Sequence, residues 1–277
     1  MRRLERFAIW RDRGARAGAV VLVVCLLLAV FAPVLSPAAG AVDVVTTRFL
    51  PPLSHGPAGT FHLLGTDRLG RDVWSRLLYG GRISLSVGIL TMAVSLVIGV
   101  AVGATAAFSR RGIAALLLGF TDFVLGVPRV VVLLLLAALW QPSAVQVVIV
   151  LGLTGWMPIA RLVYAETKTQ LGRPYLESAA ALGAGTFRVM MRHVLPVAAP
   201  PILAAVTLGV GNAITLEAGL SFLGLGVQPP AASWGSLIAS GRDTVVNAPW
   251  VGLAPGVALV LVVVSCTLIA DGMVRDG

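Results

Sequence analysis

Uninterrupted apolar runs long enough to cross a lipid bilayer dominate this 277-residue chain and constrain its fold more than any other feature. A bilayer's hydrocarbon core is about 30 Å thick, so a crossing helix needs about twenty apolar residues. Six runs meet that length: Ala17 to Leu35, Ile83 to Phe108, Ile113 to Trp140, Ala144 to Val163, Leu195 to Leu216 and Trp250 to Ala270. Hydrocarbon offers no water to the backbone, so each segment must pair its own N–H and C=O groups. The runs lack the alternation of barrel strands, which leaves helices. Gly99, Gly103, Pro128, Pro158, Gly209, Gly211 and Pro255 fall inside the runs, and membrane helices tolerate such residues. With 57% hydrophobic and 12% charged residues, the composition excludes an ordinary soluble domain. The expected fold is an all-α polytopic protein of the cell (inner or plasma) membrane, with six transmembrane helices.

Orientation follows from the basic residues. If the N-terminus is cytoplasmic, 14 of the 21 Lys and Arg lie inside and 6 outside, with Arg129 left within a span. Cytoplasmic loops carry the excess of positive charge, so both termini are expected in the cytoplasm. The net charge of +9 then reflects topology and contact with anionic head groups, with no nucleic-acid partner required. The chain divides into a basic cytoplasmic start (residues 1–16), a first anchor helix (17–35), an extracytoplasmic loop (36–82) and a five-helix core (83–277). "SPAAGA" after the first run looks like a signal-peptide cleavage site, but 19 residues exceed a usual signal core, so an uncleaved anchor is expected. Cys25 and Cys266 sit in apolar spans and read as packing residues.

Three stretches outside the lipid can carry recognition. "GTDRLGRDVWSRLLYGGRISL" places Val73, Trp74, Leu77 and Leu78 on one helical face, which predicts a helix lying along the membrane surface. "EAGLSFLGLGVQPPAASWGSLIASGRD", headed by Glu217, has too much Gly, Pro and Ser for a continuous helix yet remains apolar. It must pack on protein or line a cavity. The third is "YLESAAALGAGTFRVMMRHVLP", on the cytoplasmic side. Pro174 suits a first helical position, and Glu177 suits the positive end of the helix dipole. Tyr175, Ala179 and Leu182 share one face, Gly183 and Gly185 end the helix, and Thr186 caps a second one over Phe187 to His193. The predicted product is a helix-turn-helix knob with small residues exposed and no catalytic group, a shape suited to docking into another protein.

"ESAAALG" followed by "RHVLP" resembles the EAA loop of the permease subunits of bacterial ABC importers, with Ser178 where that family usually has Ala. The other two stretches are similar to the peptide/nickel branch, specifically its second permease subunit. The resemblance implies that Tyr175, Glu177, Ser178, Ala179, Ala180, Leu182, Gly183, Arg188, Leu195 and Pro196 form the loop that couples to an ATPase. It also implies a second homologous permease, two ATP-binding subunits that hold ATP and Mg, and an extracytoplasmic solute-binding protein. The expected role is half of an importer's translocation pathway, for a dipeptide, an oligopeptide or a related small solute. This chain itself holds no cofactor, metal or catalytic residue in that reading. Its only lysine, Lys168, lies in "ETKTQ", outside any Gly-rich phosphate cradle.

Pathway candidates are Asp122, Arg129 and Glu217. Asp122 and Arg129 are seven apart and lie near one face of a continuous helix. An Arg deep in a span faces water or a partner rather than lipid, so Arg129 meets an anionic solute group, pairs with Asp122, or snorkels towards a head group. Pro128 beside it is expected to bend the helix. His55 and His62 read as solvated loop residues. The rival reading is an ion-gradient-driven carrier, which tends to place acidic relays mid-membrane; Asp122 is the one acidic residue within the six runs.

Overall fold

The computed structural model describes residues 12–36, 47–57, 59–139, 143–176 and 183–275. Among them the order is α1 (Arg13–Val30), α2 (Ala32–Leu35), β1 (Ser54–His55), β2 (Phe61–His62), α3 (Val73–Phe108), α4 (Arg111–Gly126), α5 (Arg129–Leu139), α6 (Ala144–Leu153), α7 (Met157–Leu171), α8 (Thr186–Val189), a π-helical stretch Met190–Val194, α9 (Leu195–Phe222), α10 (Trp234–Arg242) and α11 (Trp250–Arg275). Five helical spans are long and apolar enough to cross a membrane, six if the bent pair α4–α5 is one span. The strands form one short antiparallel hairpin.

Two span boundaries move by tertiary structure. The surface helix expected over Val73–Leu78 is the first turns of α3, which runs unbroken for 36 residues. Asp72 starts it by accepting the Ser75 N–H at 2.7 Å. No proline follows, and the Gly80–Gly81 pair is braced by Trp234, whose ring lies 3.0 Å from where a Gly81 Cβ would sit and whose Nε1 donates to the Leu77 carbonyl at 3.0 Å. At 1.5 Å per residue α3 is roughly 54 Å long, so it projects well past the hydrocarbon.

The run Ile113 to Trp140 is not one straight helix. It breaks at Val127–Pro128, and the two halves bend by 74°. Pro128 supplies the reason, since it lacks an N–H and its ring crowds the preceding turn. The fourth run likewise pauses at Thr154–Trp156, between α6 and α7.

α3 sits at the centre and packs against α7, α9 and α6, while α1 and α9 both pack on α11. Gly99 and Gly103, four apart on α3, face α7. A Cβ at Gly103 would lie 2.4 Å from the Ala160 carbonyl oxygen, and one at Gly99 would lie 2.8 Å from Ile159. Small residues at this spacing let membrane helices approach closely, which matters where lipid removes the hydrophobic drive for association. Ser95 adds a hydrogen bond across to the Gly152 carbonyl, 3.1 Å. Gly103→Leu is therefore expected to cost about 1–3 kcal/mol through overpacking against backbone that cannot yield. Thermal unfolding of the detergent-purified protein checks this, with Gly119→Ala as control because nothing lies within 4 Å of a Cβ there. Equal unfolding temperatures for Gly103→Leu and wild type would refute the close packing.

Cys25 and Cys266 are free thiols in one apolar cluster with Leu85, Ile214 and Trp234. Outward faces remain apolar, with Val97, Leu116 and Phe123 more than two-thirds exposed, as lipid or partner helices require.

Candidate functional site

The loop after α7 is anchored at both ends. α7 stops at Gly172, and residues 174–176 resume helical geometry at Pro174, the first-turn position its ring favours. Leu176 is 3% exposed and packs into the core cluster with Val163, Val189, Met190 and Val194. Tyr175 donates its hydroxyl to Gln170 Oε1 at 2.9 Å, and its ring lies 6.4 Å from that of His193. Glu177, Ser178, Ala179, Ala180 and Leu182 lie outside the described residues.

The chain re-emerges at Gly183 with φ +79, the left-handed region that glycine adopts most readily. Gly185 differs from expectation. Its φ of −67 and ψ of 155 are extended, and it is the N-cap of α8, so Thr186 is the first helical residue rather than the cap. Nor does the second helix end at His193. α8, the π stretch and α9 form one helical span of 37 residues, Thr186–Phe222, because Val189, Met190 and Val194 are buried against the core and hold the helix through the junction. Arg188 and Pro196 are exposed and Leu195 is half-buried. Hydropathy alone did not single out Phe187 and Met191, four apart on the exposed side and 79% and 51% accessible. Their signal was present only as apolar residues at helical spacing in a polar stretch.

Glu217 is fully buried near the far end of that same helical span. It accepts hydrogen bonds from Ser84 Oγ at 3.0 Å and Ser221 Oγ at 2.6 Å. Ser84 Oγ in turn accepts the Trp234 N–H at 3.1 Å, and Ser221 Oγ accepts the Val227 N–H at 3.0 Å and faces Ser233 Oγ at 3.2 Å. One carboxyl group thus ties α9 to α3, to the loop after α9 and to the start of α10. Of the apolar Gly/Pro/Ser stretch, Gly226, Val227 and residues 232–235 pack on protein, with Trp234 4% exposed, whereas Leu223, Gly224 and residues 228–231 are exposed. A buried polar group demands such partners.

Asp122 pairs with Arg161 of α7, and both side chains are about half exposed. The break at Pro128 puts Asp122 and Arg129 on segments bent by 74°, so a seven-residue spacing no longer defines one face. The Arg129 side chain lies outside the described residues.

At the other end of α3, Asp67 is buried and accepts from the Leu69 and Arg71 N–H groups, from Arg71 Nε at 2.8 Å and from Arg76 Nη1 at 2.9 Å. His62 is not a solvated loop residue: it is buried, with Nδ1 2.9 Å from Asp72 Oδ1. The "GTDRLGRD" stretch therefore folds as a hydrogen-bonded cap on α3.

Comparison with known proteins accords with this arrangement. Residues 95–275 match the family described as binding-protein-dependent transport system inner membrane component, and residues 7–52 match the N-terminal TM domain of oligopeptide transport permease C. A protein of Brucella abortus biovar 1 (strain 9-941) named as a peptide transport system permease is 37% identical over 97% of this chain and 88% of its own length. The di/tripeptide transport system permease protein DppC of Pseudomonas aeruginosa (strain UCBPP-PA14) is 36% identical over 96% of this chain and 87% of its own. Among solved structures, a chain of the inward-facing MetNI methionine ABC transporter superposes with a TM-score of 0.59 at 19% identity, covering 72% of this chain and 94% of that one, a likeness of fold. With sequence relatives along nearly its whole length and a matching helical fold, the chain belongs to the binding-protein-dependent transport system inner membrane components, the multi-pass permease subunits of ABC importers.

Proposed function

We propose that this permease forms half of the translocation pathway for peptides or a related small solute, and that the 174–195 loop docks on a separate ATPase. The observation that carries the proposal is the loop's construction. Buried Leu176 and Val194 fix its two ends, Gly183 turns it, and Phe187 and Met191 present an apolar surface beside exposed Arg188 and Arg192. An exposed apolar patch rimmed by charge fits a protein partner. Because the loop's exit leads into α9, a displacement at Met191 is carried towards Glu217, roughly 39 Å away along the same helical span. Closure of the ATPase subunits would thereby reach the α3–α9–α10 junction, and the helices would alternate between inward- and outward-facing states.

The relatives' names support a peptide as solute, and the basic-residue bias supports the loop's cytoplasmic placement. ATP and Mg belong to the partner, since Lys168 lies outside any phosphate-binding loop. A second permease, two ATP-binding subunits and an extracytoplasmic binding protein complete the assembly. The test is uptake by the purified complex in liposomes. Uptake should require ATP on the loop side and be indifferent to a protonophore. Uptake that collapses with the protonophore and ignores ATP would favour an ion-driven carrier and end this reading.

A further inference from the structure

The cavity between the start of α3 and the loop before α10 has a volume of about 330 Å³, and Arg71, Ser75, Arg76, Tyr79 and Arg82 line it. Its charge is unbalanced. Arg71 and Arg76 share one carboxylate, Asp67, and among the described residues no carboxylate pairs with Arg82, whose guanidinium instead sits 6.0 Å over the Tyr79 ring. Three guanidinium groups against two carboxylates, Asp67 and the Asp72 that accepts the Ser75 N–H, leave one net positive charge around the cavity, at Arg82. The second observation is Ser75: the residue is 3% exposed, it lines the cavity, and its Oγ has no hydrogen-bond partner. Buried hydroxyls are normally satisfied, so an orphan on a residue that lines a basic cavity marks a place for an acceptor.

A second cavity, of about 320 Å³, adjoins the first and shares Arg82 and Ile83 with it. Its remaining lining is largely apolar, including Val87, Leu90, Val145 and Val148 of α3 and α6. Each volume lies at the small end of ligand sites. Together they offer a cationic end and an apolar end hinged on Arg82.

We propose that this double cavity is a solute-binding site that receives a carboxylate between Arg82, Arg76 and Ser75 and an adjoining apolar side chain against Val87 and Val148. The class of ligand is a short peptide or amino-acid-like solute with a free terminal carboxylate and an apolar last residue. Guanidinium groups suit carboxylates by geometry as well as charge. The proposal rests on the importer reading and adds to it where in this chain the solute is held and by which of its groups.

The test uses the whole complex in zwitterionic lipid nanodiscs. Exposed Ala231, on the cavity rim, is replaced as Ala231→Cys in a Cys25→Ala, Cys266→Ala background, and labelling of this chain by thiosulfonate reagents of either charge is followed by mass spectrometry. The anionic reagent should react about tenfold faster than the cationic one, because a basic cavity concentrates anions. Arg82→Gln should remove most of that preference, and Arg82→Lys should restore part of it. A dipeptide with an apolar last residue should slow labelling in the absence of the binding protein, and its C-terminal amide should not. Equal protection by acid and amide, protection by neither, protection only once the binding protein is added, or protection by anionic lipid alone would each overturn the site. ATP-dependent uptake by the same preparation separates the two readings. A complex that imports solute but shows no carboxylate-selective protection loses only this site, whereas one that imports nothing with ATP loses the importer reading.

Discussion

Glu217→Ala is expected to prevent assembly of a stable permease. The carboxyl is fully buried and accepts from Ser84 and Ser221, whose oxygens are already engaged as acceptors by the Trp234 and Val227 N–H groups. Deleting it strands two hydroxyl donors in a water-poor interior, at about 1–3 kcal/mol each, and leaves a cavity. A total on the order of 3–5 kcal/mol is a large part of typical net stability. Glu217→Gln keeps the shape and one acceptor, so a smaller loss is expected. The measurements are yield of the intact complex and its thermal unfolding in detergent. The opposite pattern, normal assembly and unfolding temperature with transport abolished, would show that Glu217 serves the moving solute and not the fold. The proline- and glycine-containing segment after α9 depends on this group because the segment has few backbone partners of its own.

Gly183→Val is expected to separate coupling from folding. The φ of +79 is costly for a β-branched residue, about 1–3 kcal/mol, while a Cβ there meets nothing within 4 Å. The penalty therefore falls on the loop's conformation and not on core packing. Leu176, Val189 and Val194 remain buried on either side, so the complex should still form. Uptake and substrate-stimulated ATP hydrolysis should both drop, on the order of tenfold, as the docking-competent loop becomes a minor state. Glu177→Ala should act in the same direction, because its carboxylate follows shortly after the helix start at Pro174, where negative charge is favoured. If both variants hydrolyse ATP and import solute at wild-type rates, the loop is not the coupling element.

Several features of this loop were legible without coordinates. Pro174 at a helix start and Gly183 at a left-handed turn are statements about single residues and their own dihedrals, and local sterics decide them. Gly185 was misjudged for a related reason. A glycine permits positive φ without requiring it, and here the chain needs an extended residue to begin α8. The second helix was legible as leading to Leu195 and Pro196 at the mouth of the next span, but its merging with α9 into one helical span was not. In the structure Pro196 falls in the first turn of α9, where its missing N–H costs little, and the π stretch absorbs the misfit before it.

The identity of ion partners was the least accessible property. Spacing along one helix pointed from Asp122 to Arg129, seven residues on, but the structure joins Asp122 to Arg161, from a different span. Likewise nothing local to "DRLGRDVWSR" reveals that Asp67 gathers Arg71 and Arg76 while Arg82 is left over to line a cavity.

By itself the sequence determined that this protein is a bundle of membrane helices, roughly where each begins, and which loop is exposed. Hydropathy is a sum over neighbouring residues, and in lipid each helix must satisfy its own backbone. Tertiary structure alone decided that α3 runs on past the membrane through Gly80 and Gly81, that α4 and α5 bend apart, that Glu217 is buried among serines, and that Asp67 gathers Arg71 and Arg76. Those outcomes depend on contacts between helices far apart in the chain, such as Trp234 with Leu77 and Ser84 with Glu217. Such contacts are set by which helix faces meet, and no property of either segment taken alone contains that information.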